Sequence, residues 1–331
     1  MTITALDLAI VVPCFDEEQA LPRTGPELIS FVTRLRDAGK VGVRSRVWFV
    51  DDGSRDRTWS IISGFVDAGA PAVGVKLSRN RGHQNALLAG LMLADGDAVV
   101  TIDADLQDDL AAVEQMIDRF HGGCDVVYGV RKLRASDGAL KRNLAGAFYA
   151  VAAALGAPIV AHHADCRLLS RRAIDALREF REANLFLRGI VPLIGFRSAV
   201  VEYTRHPRTA GTTKYSLRRM LSLAAAGITS FSVVPLRIIS AAGLAVFAGA
   251  MAATIWALWV SLFTDRSVPG WASVVLPMYF LGGVQLLALG VMGEYLGRVY
   301  IEVKRRPRYI VEEVIGGAGV PPVAALDAIV R

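Results

Sequence analysis

The segment Asp103-Ala104-Asp105, continued by Leu106-Gln107-Asp108-Asp109, carries the strongest chemical signal in the chain. It follows an apolar stretch, 98–102, that reads as a buried strand. On an extended backbone, residues two apart share a face, so Asp103 and Asp105 are expected to point at one site. Carboxylates placed this way repel each other unless a cation lies between them. Mg2+ and Mn2+ take oxygen ligands and commonly bridge protein carboxylates to substrate phosphates. The chemistry implied is charge compensation on a departing diphosphate. A solvated acidic turn would have the same composition, so this motif decides nothing alone.

Two further acidic segments also follow apolar runs. One is Val50-Asp51-Asp52-Gly53-Ser54, whose carboxylates could accept hydrogen bonds from a base or ribose, as acidic residues at strand ends do in dinucleotide folds. A turn leading to a helix capped by Asp56 would account for it equally well. The other is Val12-Pro13-Cys14-Phe15-Asp16-Glu17-Glu18. Neither G-x-G-x-x-G nor G-x-x-x-x-G-K-[ST] occurs, which argues against a dinucleotide oxidoreductase and a P-loop enzyme.

The elements that must position these residues alternate. Short, β-branched runs at 8–12, 47–50, 73–77, 98–102 and 126–128 predict buried strands. Helical patterns at 17–37, 56–68, 84–94 and 109–121 lie between or after them. Such alternation predicts an α/β fold with a mostly parallel central sheet and helices on both faces. Ligands then bind beyond the carboxyl ends of the strands, where all three acidic segments fall. Residues 131–213 are less regular. Helices are predicted over 138–155 and 170–180, the latter capped by Ser170, and a strand over 197–203.

The C-terminal third changes character. Residues 238–263 and 272–293 contain no charged side chain, and each run can span a bilayer as a helix. Asp265, Arg266, Pro269 and Gly270 form a polar turn between them, and Trp256, Trp259 and Trp271 lie towards that turn. The cations Arg218, Arg219 and Arg237 precede the pair, and Arg298, Lys304, Arg305, Arg306 and Arg308 follow it. This asymmetry predicts a two-helix transmembrane hairpin with both ends cytoplasmic. Residues 214–236, basic and then apolar, read as interfacial helix. The expected organisation is a catalytic domain at 1–213, interfacial helices at 214–236, a hairpin at 237–293 and a cytoplasmic tail at 294–331.

The 331 residues are 53% hydrophobic and carry a formal charge of +6. With the basic residues beside the apolar runs and no nucleic-acid motif, anionic membrane lipid is the expected partner and nucleic acid is not. Cys14, Cys124 and Cys166 and the five histidines lack metal-site spacing, and the thiols are expected to be buried and unpaired.

Together the stretches VVPCFDEE, FVDDGSRDRT, LSRNRGHQNALLAG, IDADLQDD, VVYGVR, HADCRLLSRRAIDAL, NLFLRG and RTAGTTKYSLRRM closely resemble the inverting family 2 glycosyltransferases of the type A nucleotide-sugar-binding fold. The dolichol-phosphate mannose synthases and bacterial polyprenyl-phosphate (bactoprenol) glucosyltransferases are the most similar types, over nearly the whole chain. The resemblance implies inverting transfer of a hexose from a nucleotide sugar to polyprenyl phosphate at the cytoplasmic face of the plasma membrane. UDP-glucose is the first donor expected, with GDP-mannose and UDP-linked amino or N-acetyl sugars behind it. Alternatives are a processive polysaccharide synthase, which the missing Gln-x-x-Arg-Trp motif disfavours, and a non-catalytic membrane scaffold. By the same resemblance Pro13, Phe15, Glu17 and Asp51 or Asp52 contact the nucleoside. Asp103, Asp105 and Gln107 manage Mg2+ or Mn2+ and the diphosphate. Arg131 approaches a phosphate, as do Arg142, Arg208 and Lys214 on the acceptor side. Asp165 matches the position proposed as catalytic base. A homo-oligomer, such as a tetramer, is implied as well. Departures from the pattern are Asp16 for Asn, Phe15 for Tyr, His83 for Lys and Cys166 for an aromatic residue.

Overall fold

The computed structural model describes residues 6–131, 163–182, 186–204, 234–263 and 271–316. The predicted helix over 138–155, the interfacial segment up to residue 233 and the polar turn lie outside them.

In chain order the elements are β1 (Leu8–Cys14), α1 (Leu21–Asp37), β2 (Arg46–Asp51), α2 (Thr58–Asp67), β3 (Ala72–Leu77), α3 (His83–Leu93), β4 (Ala98–Thr101), α4 (Leu110–His121), β5 (Val126–Arg131) and β6 (His163–Ser170). There follow α5 (Arg171–Arg178), α6 (Leu187–Leu193), β7 (Ser198–Tyr203), α7 (Val234–Phe263), α8 (Trp271–Val303) and β8 (Val311–Ile315). All eight strands form one sheet of order β7-β5-β6-β4-β1-β2-β3-β8. β6 and β8 run against the other six strands. The fold is therefore α/β with a mostly parallel, mixed sheet.

The apolar runs became strands because both of their faces are covered. Every residue of β1 is buried. Leu8, Ile10 and Val12 pack with Leu28, Phe31 and Leu35 of α1, Ile62 of α2 and Val113 and Met116 of α4. Val11 and Val50 point the other way, onto Gly90 of α3, where an added Cβ would lie 2.3 Å from Val11 Cγ1. α3 is consequently buried over Ala86–Leu91, which is why it reads as continuously apolar. Cys14, Cys124 and Cys166 are buried, and none of them forms a disulfide among the described residues.

The helix starts differ from the sequence prediction. α1 begins at Leu21 rather than residue 17, because 17–20 form a turn in which the Glu17 carbonyl accepts the Ala20 and Leu21 N–H groups. α2 begins at Thr58, and Asp56 sits just outside it, accepting the Thr58 N–H at 2.9 Å. Asp109 and Ser170 do cap α4 and α5, accepting N–H groups of Ala111 and Ala173. Two strands were not anticipated, β6 and β8.

The described residues fall into two compact units. The sheet and its helices, including residues 306–316, make the first; α7 and α8 belong to the second. In the second unit α7 and α8 touch, and Trp259 and Phe263 rings lie 4.6 Å apart. Among the described residues one segment, Phe280–Val303, is long and apolar enough to cross a membrane, and none of its residues is buried. The uncharged run ends at residue 293, but its helix does not. α8 continues to Val303 because Glu294, Arg298 and Glu302 are spaced at i, i+4 and nothing there breaks a helix. The predicted tail boundary at residue 294 therefore falls inside a helix.

Candidate active site

The carboxyl ends of the six like-directed strands share one edge of the sheet with the amino ends of β6 and β8. That edge gathers the acidic segments. β4 stops at Thr101, whose register partner on antiparallel β6 is Arg167. Past that last pair Thr101 Oγ1 donates to the Asp165 carbonyl, which brings the start of β6 beside the segment that follows β4. Antiparallel pairing thus joins parts of the chain more than 60 residues apart.

Asp165 sits at the centre of a charge cluster. Its Oδ1 accepts Arg167 Nη2 at 2.7 Å and Arg188 Nε at 3.2 Å, and its Oδ2 accepts Arg188 Nη2 at 2.9 Å. His83 Nε2 lies 3.4 Å from Asp165 Oδ2 and 3.6 Å from Asp103 Oδ1. Burial alone would raise the Asp165 pKa, but His83 and the two guanidinium groups outweigh it and hold the carboxyl far below its usual range. These partners favour the ionised form of Asp165 and make it a weak base. Arg167 is fully buried, and its Nη1 has no hydrogen-bond partner among the described residues. Arg188 lies in the stretch NLFLRG, whose sequence alone assigns it no role. Its position on α6 is what completes the bidentate pair.

Asp103 has the opposite environment. Burial pushes its pKa from 3.8 to about 6; His83 works against the rise, and the neighbouring Asp108, Asp165 and Asp105 add to it. His83 in turn loses basicity through burial, but its bond to Asp165 and the charge on Asp103 raise its pKa above 6.5. The histidine thus occupies a place where a cation is favoured, which explains how it can stand where the resemblance has Lys.

The extended backbone expected at 103–105 is not present. Leu106 N–H bonds to the Asp103 carbonyl, Leu106 has φ +44°, and Asp105 Oδ1 accepts the Gln107 N–H at 3.3 Å. The acidic segment is a turn, because β4 ends before it and an Asx-type bond competes with strand geometry. Gln107 is buried, and Asp108, also buried, accepts the Tyr203 hydroxyl of β7 at 2.5 Å.

Between β1, β2 and β3 the same edge opens into a cleft of about 580 Å³. Phe15, residues 53–55, residues 76–80 and Glu312 line it. The Phe15 ring is 42% exposed there. Pro13 is the β1 residue opposite Val50, and Glu17 N–H donates to Thr58 Oγ1 at 2.8 Å. Asp16, at φ +52°, accepts the Arg55 N–H at 2.9 Å. Asn can adopt that backbone and make that bond equally well, which accounts for this departure from the family pattern. Gly53 lets two loops meet: at φ +68° its Cβ would lie 2.6 Å from the Arg79 carbonyl carbon.

The two adjacent aspartates after β2 differ. Asp52 spends both oxygens on the loop before α3, accepting Arg81 N–H at 2.7 Å and Gly82 N–H at 2.8 Å. Asp51 accepts the Ser54 N–H at 3.1 Å, while its buried Oδ2 has no partner among the described residues. Burial raises both carboxyls. Residues 78–82 therefore connect the cleft, through Asp52, to His83 and the charge cluster.

Arg131 ends β5 at the same edge. Arg142, Arg208 and Lys214 lie outside the described residues. Among the described residues no three carboxylate, imidazole or thiol groups form a ready-made metal cage. The donor set still fits a divalent cation shared with a diphosphate, which needs only one or two protein carboxylates. Asp103, raised mainly by burial and further by the neighbouring Asp108, Asp165 and Asp105, is a carboxylate whose charge such an ion would offset.

A sequence profile described as Glycosyl transferase family 2 matches residues 9–178. The chain is 45% identical to the uncharacterized glycosyltransferase YkoT of Bacillus subtilis, over 92% of this chain and 91% of that one. It is 37% identical to the prophage bactoprenol glucosyl transferase homolog of Escherichia coli, over 93% and 99%. Among solved structures, glucosyl-3-phosphoglycerate synthase of Mycobacterium tuberculosis matches 68% of this chain and 76% of its own at 18% identity, with a TM-score of 0.45.

Proposed function

The chain belongs to glycosyl transferase family 2, and from that premise we propose that this glycosyltransferase moves a hexose from a nucleotide sugar, UDP-glucose first, to polyprenyl phosphate. The observation that carries the proposal is the shared sheet edge: a nucleoside-sized cleft continues through one braced loop into a cluster of buried carboxylates and cations. Similarity over nearly the full length to proteins named bactoprenol glucosyl transferase supports both the sugar and the lipid.

The acceptor needs little activation. A phosphate monoester has a second pKa near 6 and is largely dianionic at neutral pH. Asp165, held ionised by Arg167 and Arg188, suits the task of orienting Arg188 and His83 better than that of taking a proton. These cations and Arg131 bring two anionic substrates together and hold the departing diphosphate. Asp103 and Asp105 would hold Mg2+ or Mn2+, which supplies charge neutralisation at the diphosphate when bound. One displacement at the anomeric carbon inverts it, so an α-linked donor gives a β-linked lipid.

Membrane attachment follows a parity argument. Residues up to 204 and residues 311–315 share one sheet, so any crossings of a bilayer by the chain between them would be even in number. With α8 as one crossing, α7 would be the other: residues 238–263 carry no charge and at about 1.5 Å per residue would reach across the hydrocarbon layer, although Phe280–Val303 is the one segment among the described residues with the full length and hydropathy of a span. The flanking arginines favour a cytoplasmic position for both ends.

Membranes containing the protein, incubated with labelled UDP-glucose and polyprenyl phosphate, should form a labelled glycolipid of β configuration. No product with any nucleotide sugar, or a product of retained configuration, would refute the proposal. Val246→Arg in α7 should impair insertion, at a cost of roughly 2.5–3.5 kcal/mol.

A further inference from the structure

The strand that follows α8 returns to the sheet edge beside the cleft, and its pairing with β3 is irregular. Gly74, Val75 and Lys76 pair with Ile315, Val314 and Glu313, but Leu77 pairs with Val311. Glu312 is the extra residue of a β-bulge. Bulges next to sites redirect a side chain that regular pleating would place elsewhere. Here Glu312 becomes part of the cleft lining, the one contribution from beyond residue 80 among the described residues.

We propose that Glu312 is a donor-binding residue, its carboxylate accepting hydrogen bonds from the nucleoside half of the nucleotide sugar. This rests on the donor reading above and extends it to the C-terminal strand. Three observations carry it. Glu312 Oε1 is held by Lys76 Nζ at 2.9 Å, which fixes the side chain, while Oε2 accepts no hydrogen bond among the described residues. The Phe15 ring in the same cleft offers an apolar face for a base. The strand is firmly anchored: Tyr309 and Val311 are buried, Arg308 Nη2 donates to the Phe180 carbonyl at 2.5 Å, and Ser78 N–H donates to the Ile310 carbonyl at 3.0 Å. A carboxylate on a rigid strand beside an aromatic face suits a nucleoside, whose ribose hydroxyls and base N–H groups are donors. It does not suit the diphosphate, which it repels.

That repulsion gives the test a sign. Were Glu312 only a nearby negative charge, its removal would leave UDP binding unchanged or strengthen it. As a ligand-binding group, its removal weakens binding. Titration calorimetry of UDP with the full-length protein in detergent and Mn2+ should show Kd raised about tenfold in Glu312→Gln, the scale of a lost charge-assisted hydrogen bond. Glu313→Gln, the same change one residue along and outside the cleft lining, should leave Kd within twofold. The KM for UDP-glucose should rise in Glu312→Gln, while Glu313→Gln keeps wild-type KM and turnover. An unchanged or lower Kd in Glu312→Gln, or an equal rise in Glu313→Gln, overturns the assignment alone. Failure of wild-type protein to bind any nucleoside diphosphate overturns the donor reading and this inference with it. Equal thermal midpoints of the two variants establish that the strand stays in place; a lower midpoint in Glu312→Gln only would give the residue a structural role instead.

Discussion

Replacing Asp103 with Asn should stabilise the folded protein at alkaline pH while abolishing transfer. Burial and neighbouring carboxylates raise the Asp103 pKa from 3.8 to about 6. For an acid, a raised folded pKa means that the fold prefers the protonated form. Its stabilising contribution is complete below the unfolded pKa near 4 and is lost as pH rises through 6. The raised pKa corresponds to about 3 kcal/mol between the two ends of that range. Urea unfolding of the detergent-solubilised full chain, with EDTA present, reads this directly through Trp48 and Trp59 fluorescence. From pH 4 to pH 8 wild type should lose about 3 kcal/mol more than Asp103→Asn. Mn2+ at 100 times its Kd should return about 2.7 kcal/mol to wild type at pH 8 and little to the variant. Parallel pH profiles for the two proteins, or a variant less stable at pH 8, would refute the account of Asp103 as a strained carboxylate awaiting a cation.

Asp165→Asn leaves Arg167 buried without its anionic partner and should cost about 3–5 kcal/mol, measured by the same unfolding assay. Because the Asp165 pKa is depressed, its contribution is present above the ordinary carboxylate range and should stay constant from pH 5 to 8. Asp52→Ala strips two N–H groups of their acceptor and should loosen residues 78–82, lowering stability by about 1–3 kcal/mol and kcat/KM at least tenfold in the glycolipid assay. Gly90→Ala forces a methyl group against Val11 on a stiff strand and should destabilise by about 1–3 kcal/mol in urea, despite the better helix propensity of Ala.

Much of the first unit could be read from local pattern. The β1 to β4 strands are short apolar runs, and α1 and α4 carry periodic apolar faces, because burial on a sheet imposes those patterns on the chain itself. β6 escaped that reading. Its sequence, HADCRLLS, sets Asp165 and Arg167 among apolar residues, and such charges mark a loop until an antiparallel neighbour and a second arginine satisfy them. β8 escaped for a related reason: VEEVI looks like an acidic tail unless the edge of β3 is known to be open.

The site divides along the same line. Residue types and their places after strands, as at Asp51, Asp52, Asp103 and Asp105, were legible because each lies at the end of its own local element. The turn at 103–106, the choice of Asp52 as brace, and the union of His83, Asp165 and Arg188 were not. These depend on which strands lie side by side and in what register. Pairing between segments distant in sequence is set by the closing of the whole sheet, and no local run of residues records it. The sequence alone determined the elements and their chemistry; tertiary pairing decided which charges meet, and hence which carboxylate is locked and which is left strained.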